Sequence, residues 1–363
     1  MNSQLLQSAT AGKLTVTNEL GRGGQGVVYN TSHNDYVLKV CKPEVFDTPD
    51  ELKAIKQDST KRYRTFSQLK FGADKEVSCL PLEYMQVEDS GATPAYLMRR
   101  ANGQVMNRNM KTLAGLNLRD RYRIAKSLAN ALSLLHSRQV VHADFKPDNF
   151  FFDDKTGFVQ ILDIDGGGYF GSIPNTTQFY PAVIPIDVYR APELVKRGWK
   201  TIWNKPLLRK QPDLWSLSVL IYQILVDIKG PFPTRKATED PSYMFFRAGD
   251  YATDRPEWPR AWQKSEMEKI GLNSDIIRLF EAVFKTTKRT QIDEPKRPET
   301  ILWRATLDNI LASTPQPVSV AIPKPKPTPP PTPTPAPVFK PSSPIVATPP
   351  KPSIWEIIKS WFT

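Results

Sequence analysis

The sequence predicts an α+β protein with two lobes, a small β-rich lobe at residues 13–98 and a larger helical lobe at residues 102–312. Apolar and β-branched residues alternate around a Gly-rich turn near the N-terminus, which is typical of a β-hairpin. Further along, apolar residues recur at spacings of three and four, as they do on one face of a helix. A disordered Pro-rich linker (313–352) and a short amphipathic helix (353–363) are predicted to follow.

The composition supports one bilobal unit followed by a tail of different character. Of the 34 prolines, 16 fall between positions 315 and 352, a stretch without Asp or Glu. Such a segment has too few apolar residues to build a packed core. Cys41 and Cys79 are isolated from each other and from any His cluster, which predicts reduced thiols and no structural zinc site. With no signal peptide or spanning helix indicated, the expected location is cytoplasmic.

The net charge of +12 is spread over short basic patches such as residues 61–64 and 119–123. A basic surface can attract acidic protein or nucleic acid. Because no nucleic-acid-binding motif accompanies the charge, solvated helix faces explain the patches better, and nucleic acid is not expected as a partner.

A Gly-rich turn lies between two segments with the alternation of strands. Gly21, Gly23 and Gly26 follow the spacing G-x-G-x-x-G, and Val28 comes next in the motif. The following segment is strand-like rather than helical, so the turn is predicted to cover phosphate groups as a flap. Glycine permits the close backbone approach that a side chain would block. A plain Gly-rich hairpin is the alternative for this motif taken alone.

Lys39 ends an apolar run in the next predicted strand. A lysine there is costly to bury unless phosphate groups or a carboxylate partner its charge; the alternative is an edge lysine that faces water. The sequence T-P-D-E predicts a helix from Pro49 to about Leu69. Neither Glu51 nor Asp58 lies where a mid-helix partner of Lys39 is expected, so the sequence leaves this partner unassigned.

The octet H-A-D-F-K-P-D-N, residues 142–149, combines groups suited to phosphoryl transfer. The Asp144 carboxylate can accept a proton, and the amide oxygen of Asn149 can hold a hard cation. Lys146 lies between them and can stabilise transferred negative charge. A long predicted helix with apolar residues at spacings of three and four leads directly into this loop.

With these motifs the chain resembles eukaryotic-like serine/threonine protein kinases of the bacterial type over about residues 13–312. The octet matches the family's H-R-D-L-x-x-x-N, and Y-R-A-P-E (189–193) and D-L-W-S-L (213–217) match further motifs in family order. The triplet D-I-D stands where the family has D-F-G. Counting through the preceding hairpin favours Asp163 as its first residue, although Asp165 followed by Gly is the alternative register.

The resemblance implies an ATP- and Mg²⁺-dependent kinase that acts on protein substrates. It gives Asp144 and Lys146 the catalytic roles, and Lys146 favours Ser/Thr over Tyr as the acceptor. It assigns Asn149 and Asp163 to magnesium. The ATP-binding residues implied are Gly21, Gly23, Gly26, Val28 and Lys39, with adenine at the backbone of Arg99 and Ala101 by position in the connection between the lobes.

Three departures from the family pattern concern rate and regulation. Ala143 replaces an Arg that in many members receives an activation-loop phosphate, so regulation through that contact is not expected. Asp165 occupies the Gly position of D-F-G and is expected to add a carboxylate beside the metal. Ile186 stands where a Thr often braces the catalytic residues. The family also implies a structural ion pair between Glu193 and Arg297.

Two other functions stay open at this point. A pseudokinase that acts as a binding or scaffold protein would explain the missing helix Glu, but the presence of Lys39, Asp144, Asn149 and Asp163 argues against it. A small-molecule kinase would share the catalytic Asp and the metal Asp. The Y-R-A-P-E and D-L-W-S-L motifs belong instead to the members that act on proteins.

The last residues, 353–363, are predicted to form an amphipathic helix with an S-x-x-E capping box. A helix of this length is too short to cross a bilayer and is marginal alone in water. It is therefore expected to bind a partner protein or a membrane surface, with docking on the kinase domain as the alternative. The predicted location is accordingly cytoplasmic, with peripheral membrane attachment as a variant of it.

Overall fold

The alternating N-terminal segments form one antiparallel sheet of six strands in the order β1-β2-β3-β4-β6-β5. Their bounds in the computed structural model are β1 Leu5–Ser8, β2 Gly12–Arg22, β3 Gly26–Thr31, β4 Tyr36–Cys41, β5 Glu83–Glu88 and β6 Ala92–Arg99. The structure describes residues 5–23, 26–41, 49–88, 92–183, 185, 187–228, 230–231, 258–259, 261–284 and 295–313. All of these lie in one compact unit, Met1–Pro315.

The sheet begins at Leu5, earlier than the lobe boundary predicted at residue 13. β1 pairs antiparallel with β2 through a turn that ends at Gly12, whose φ of 72° favours glycine. The Glu83 carboxylate holds this turn, since it accepts a hydrogen bond from the Ser8 hydroxyl at 2.7 Å. It also accepts the next two backbone N–H groups at 2.8 and 2.9 Å. A four-residue strand is too short to show a clear alternation in sequence.

Helix α1 (Pro49–Gln68) starts at the residue predicted from the T-P-D-E sequence. After its second turn the helix has one face toward solvent and one toward the protein interior, where Arg62, Tyr63 and Phe66 are buried. Tyr63 packs against the sheet in a small apolar cluster with residues of β4 and β6; the other members are Val37, Cys41, Tyr96 and Met98. This packing brings the middle of α1 next to Lys39 of β4.

The C-terminal lobe is helical, as predicted. Its helices are α2 Met110–Gly115, α3 Leu118–Ser137, α4 Pro192–Trp203, α5 Gln211–Leu225, α6 Ala261–Lys269, α7 Ser274–Phe284 and α8 Thr300–Ser313. Asn117 is the N-cap of helix α3, and its side chain accepts the backbone N–H of Asp120 at 3.0 Å. Its apolar residues at spacings of three and four are fully buried: Ile124, Leu128, Ala131, Leu132 and Leu135.

Helix α5, which carries the D-L-W-S-L motif, is buried along its whole length. A helix without a polar face belongs in the centre of a domain. The hydroxyl groups of its serines are hydrogen-bonded to backbone carbonyls. Ser216 donates to the carbonyl of Tyr189 at 2.8 Å and Ser218 to that of Leu214 at 2.7 Å. The helix therefore forms a rigid base for the loops above it.

Short strands between β6 and α4 position the functional loops. They are β7 Gln104–Val105, β8 Val140–Val141, β9 Phe150–Asp153, β10 Phe158–Ile161 and β11 Gly168–Tyr169. β9 and β10 form a hairpin, which β7 extends to a three-stranded sheet. β8 and β11 pair antiparallel.

The described part of the chain ends with α8 at Ser313, next to the predicted end of the helical lobe at residue 312. The predicted linker beyond it and the predicted helix at 353–363 lie outside the described residues. Within those residues, no helix has both the length and the apolar character needed to cross a membrane.

Candidate active site

One buried carboxylate holds the loop that contains the predicted catalytic residues. Asp213, in the first turn of α5, accepts the backbone N–H groups of His142 at 2.8 Å and Ala143 at 2.9 Å. The imidazole Nε2 of His136 lies 3.2 Å from the same carboxylate. Ala143 has φ of 68°, a left-handed conformation that is unfavourable for a residue with a Cβ. The bonds to Asp213 stabilise this conformation and so fix the path of the loop.

Asp144 and Lys146 lie together at the start of this loop, as the sequence predicts. The Lys146 Nζ is 2.9 Å from Asp144 Oδ2, and both side chains are about one-fifth exposed, at 19% and 20%. Asn149 donates through Nδ2 to the Asp144 carbonyl at 2.7 Å and to its carboxylate at 3.1 Å. His142 is buried, and its Nε2 lies 2.8 Å from the Leu162 carbonyl, which agrees with the predicted bracing role. The Asp144 carboxylate is thus oriented by two side chains, Lys146 and Asn149, and is still reachable from solvent.

The two predicted magnesium ligands are brought together by the β9–β10 hairpin. Leu162 donates its N–H to the Asn149 carbonyl at 2.9 Å, so Asp163 follows directly beside Asn149. The Asp163 side chain is 44% exposed. Nothing in the described part of the chain donates to the Asn149 amide oxygen, because only its Nδ2 is hydrogen-bonded. An amide oxygen and a carboxylate fit Mg²⁺, which keeps few protein ligands and fills its sphere with phosphate and water.

A metal site formed entirely by His, Cys, Asp or Glu side chains is not found in the described residues. Within the ranges that the structure describes, no group of three or more His, Cys, Asp or Glu side chains could hold an ion. The two-residue set at Asn149 and Asp163 is therefore suited to an ion that arrives with a phosphate ligand.

Lys39 is buried, which rules out the alternative of an edge lysine in water. Its Nζ lies 2.7 Å from Asp163 Oδ1 and 2.8 Å from Asp165 Oδ2. Burial alone would lower the pKa of Lys39, but the two carboxylates raise it above its usual value. In turn, the Lys39 charge lowers the pKa of Asp163 against the opposing effect of burial. Lys39 is therefore a cation at neutral pH, held where a phosphate could reach it.

Asp165, which the sequence expects to add a carboxylate beside the metal, lies against Lys39 in the structure. Only 5% of its side chain is exposed. Besides Lys39, it accepts hydrogen bonds from the hydroxyl groups of Tyr96 at 2.7 Å and Tyr63 at 3.0 Å. The pKa values of both tyrosines are raised, first by burial and then by the Asp165 charge, so both remain donors.

The described carboxylate partners of Lys39, which the sequence left unassigned, thus lie on the loop after β10. Of the two acidic residues considered on the helix, Asp58 pairs with Arg62 at 2.5 Å. The side chain of Glu51 lies outside the described residues.

The Gly-rich turn joins β2 to β3, which confirms the predicted hairpin. Gly21 pairs with Val28, and Gly23 donates to the carbonyl of Gly26 at 2.9 Å. A Cβ on Gly26 would lie only 2.7 Å from the Val40 carbonyl and 3.3 Å from Cε of Lys39. Glycine at this position is therefore what lets the Lys39 side chain pass beneath the turn.

The connection between the lobes is fixed on both sides of Ala101. Arg99 ends β6, and Arg100 donates its N–H to the Asp35 carbonyl at 2.8 Å. Asn102 donates its N–H to the side-chain oxygen of Gln160 at 2.8 Å. The backbone of Ala101 has no hydrogen bond to any other described residue, and adenine binding at Arg99 and Ala101 stays a prediction.

Helix α1 also holds the segment that follows the D-I-D triplet. Arg62 is 6% exposed and donates to the carbonyls of Gly167 at 2.6 Å and Tyr180 at 3.2 Å. Its guanidinium lies 4.6 Å from the ring centroid of Phe179. A solvated helix face, which the sequence predicts for the basic run at 61–64, is wrong for Arg62 and Tyr63. A basic residue beside a tyrosine gives no signal of burial, because these contacts come from distant parts of the chain.

Comparisons with known proteins agree with this geometry. The family described as "Protein kinase domain" matches residues 14–293. A probable myosin light chain kinase of Dictyostelium discoideum is 25% identical over 285 residues, which cover 73% of this chain and 49% of that protein. MAP kinase-interacting serine/threonine-protein kinase 1 of Xenopus tropicalis is 26% identical over 261 residues, which cover 69% and 56%. Calcium-dependent protein kinase 22 of Arabidopsis thaliana is 24% identical over 223 residues, which cover 60% and 41%.

This chain accordingly spans about half the length of the relatives it matches. The family match covers well over half of the chain and runs from β2 past the helical lobe's central helix α5. The loop at 142–149, the buried lysine and the D-I-D carboxylates all lie inside it. The chain therefore belongs to the protein kinase family.

Proposed function

We propose that this protein is a serine/threonine kinase that transfers the γ-phosphoryl group of ATP to hydroxyl groups of protein substrates, with Mg²⁺. The observation that carries the proposal is the loop at 142–149. There a partly exposed carboxylate lies 2.9 Å from a lysine ammonium and within hydrogen-bond distance of an amide. This set can accept a proton and stabilise negative charge at one place.

Each side chain has a distinct task in the proposed reaction. Asp144 would orient the substrate hydroxyl and accept its proton, while Lys146 would stabilise the charge of the phosphoryl group in transfer. Asn149 and Asp163 would hold Mg²⁺, which when bound neutralises phosphate charge and aligns the phosphates. Lys39 would hold the ATP phosphates below the Gly-rich turn.

Two observations support Ser/Thr over Tyr as the acceptor. Lys146 is the residue that the family's Ser/Thr members carry at this position, and it contacts Asp144 directly. Relatives such as the Xenopus tropicalis protein are named as serine/threonine kinases.

A pseudokinase that only binds a ligand or a partner is the second candidate. The observation in its favour is that Lys39 is already bonded to Asp163, the residue proposed for magnesium. Such a protein would keep the fold and the ion pairs but would transfer no phosphate.

The test uses the full chain with labelled ATP, Mg²⁺ and a generic basic protein as acceptor, followed by phosphoamino-acid analysis. The matched control is Asp144→Asn, which keeps the shape of the side chain but cannot accept a proton. We expect phosphoserine or phosphothreonine from the wild type and a loss of about 10²- to 10⁴-fold in the variant. Near wild-type turnover by the variant would overturn the assignment. ATP binding without transfer by the wild type would establish the pseudokinase.

A role of the C-terminal residues 353–363 belongs to the same proposal. The apolar face of this segment is expected to bind a partner protein or a membrane surface, and the proposed location is cytoplasmic. Deleting the segment should leave basal turnover unchanged and abolish co-sedimentation with liposomes or with the partner. Unchanged co-sedimentation after deletion would contradict this role.

A further inference from the structure

Asp165 sits in a closed environment of three donors. Its Oδ2 accepts from Lys39 at 2.8 Å and from Tyr63 at 3.0 Å, and its Oδ1 accepts from Tyr96 at 2.7 Å. The Lys39 side chain is 9% exposed and that of Asp165 is 5% exposed. Both oxygens of the Asp165 carboxylate thus accept from protein donors, one of which is the Lys39 cation, and neither depends on solvent.

The three donors are also fixed to one another. Tyr96 is the direct cross-strand neighbour of Lys39 in the β4–β6 pairing. The rings of Tyr63 and Tyr96 form an edge-to-face contact with centroids 4.6 Å apart. An aromatic pair between helix α1 and strand β6 therefore defines where the Asp165 carboxylate can sit.

Among the described side chains of α1, residues 57–68, none places a carboxylate at the level of Lys39. The residue of the helix that reaches this level is Tyr63, which ends in a neutral hydroxyl. Glu51 is twelve positions earlier, or about 18 Å along the helix axis. Asp58 is engaged by Arg62. A carboxylate that accompanies Lys39 must consequently come from elsewhere in the chain.

The two carboxylates beside Lys39 differ in their access to solvent. Asp163 is 44% exposed and can turn toward a metal, whereas Asp165 is closed off at 5%. Once Mg²⁺ competes for Asp163, Lys39 would lose that contact and keep the one to Asp165. The exposed carboxylate therefore suits the metal, and the buried one suits the lysine.

We propose that Asp165, oriented by Tyr63 and Tyr96, is the residue that positions Lys39 for the ATP phosphates. This rests on the proposed kinase function and deepens it. The ion pair that positions the lysine is then built within the sheet and the D-I-D loop, and α1 contributes only a neutral hydrogen bond. Helix α1 acts on Lys39 through the orientation of Asp165, so Tyr63 and Tyr96 are positioning residues.

The test measures the affinity of the full chain for a fluorescent ATP analogue, together with KM for ATP and kcat. Asp165→Asn keeps the shape and one acceptor oxygen for a tyrosine hydroxyl, but it lacks the charge that holds Lys39. We expect the Kd and KM for ATP to rise at least about tenfold, and kcat at saturating ATP to fall less. Thermal unfolding of the same samples shows whether the fold is intact.

A double-mutant cycle distinguishes positioning from a structural effect. Tyr63→Phe should raise Kd severalfold in the wild-type background and have no further effect in the Asp165→Asn background, because Tyr63 acts only through Asp165. Additive effects of the two substitutions on Kd would overturn this part of the proposal.

The control variant is Glu51→Gln, which removes the only glutamate of α1. We expect its Kd for the analogue to equal that of the wild type. A raised Kd in Glu51→Gln with an unchanged Kd in Asp165→Asn would assign the lysine to the helix and overturn the proposal. If the wild type bound no ATP analogue at all, the proposed function itself would be wrong. If the wild type bound the analogue and Asp165→Asn bound it equally well, only the role proposed for Asp165 would be wrong.

Discussion

Arg297 and Glu193 form a bidentate ion pair across 104 positions of the sequence, with N···O distances of 2.6 and 2.8 Å. The Glu193 side chain is fully buried and that of Arg297 is 6% exposed. Arg297 also donates to the Gln211 carbonyl at 2.9 Å, so the pair links the start of α4 to the start of α5 and to the segment before α8. This confirms the ion pair implied by the family resemblance.

The first prediction concerns this pair. Glu193→Ala or Arg297→Ala should each lower the free energy of unfolding by about 3 to 5 kcal/mol, because either change leaves one buried charge without its partner. The double variant should lose less than the sum of the two, since it leaves neither charge behind. Urea unfolding of all four proteins measures the coupling, and strict additivity would show that the two side chains do not interact.

The ion pair could be predicted from sequence because each partner stands in a short motif with a fixed place in family order. The contact of Tyr63 with Asp165 could not, since the family pattern calls for an acidic residue on the helix and this chain has a tyrosine there. The partners are 102 positions apart, and only the packing of α1 on β4 and β6 brings them together. The burial of Arg62 escaped prediction for the same reason.

A second prediction separates the two acids of the D-I-D triplet by their response to magnesium. Asp163→Asn should raise the Mg²⁺ concentration needed for half-maximal activity at least about tenfold, because the exposed carboxylate is the charged ligand. Asn149→Ala should have a smaller effect in the same direction, as it removes a neutral oxygen.

The measurement is a Mg²⁺ titration of phosphoryl transfer at fixed ATP. Asp165→Asn serves as the comparison, and its Mg²⁺ requirement should change less than that of Asp163→Asn. Should the Asp165 variant instead show the larger shift, the metal register of the triplet would be displaced by two residues.

A third prediction concerns Arg62, which holds the segment after the triplet by its backbone carbonyls. Arg62→Ala should lower the free energy of unfolding by about 2 to 4 kcal/mol, because the Gly167 and Tyr180 carbonyls and the Phe179 ring lose their partner. Limited proteolysis should then cut faster within residues 166–183.

Arg64→Ala is the matched control on the same helix. Arg64 is exposed and lies 4.7 Å from the ring centroid of Tyr84, so its removal should cost about 0.5 kcal/mol or less. Equal protease sensitivity of the two variants would mean that Arg62 does not hold the segment.

The fourth prediction gives the first hairpin a pH dependence. Burial would raise the pKa of Glu83, but hydrogen bonds from Ser8, Ala9 and Thr10 outweigh it and lower the pKa below its usual value of 4.5. A carboxylate with a lowered pKa contributes stability that is present above its unfolded pKa and is lost as the pH falls through its folded value. Glu83→Gln should therefore destabilise the protein at pH 7 by about 1 kcal/mol, because the group is partly exposed.

The difference between wild type and Glu83→Gln should persist from pH 7 down to about pH 5 and then shrink as the wild-type carboxylate becomes protonated. Urea unfolding at a series of pH values measures it. Exposed Glu268 on α6 provides the control, since Glu268→Gln should change the stability by about 0.5 kcal/mol or less at every pH. Hydrogen exchange locates the effect: the amides of Ala9 and Thr10, which donate to Glu83, should exchange faster in Glu83→Gln. A stability difference that stayed constant down to pH 3 would show that the charge of Glu83 does not hold the turn.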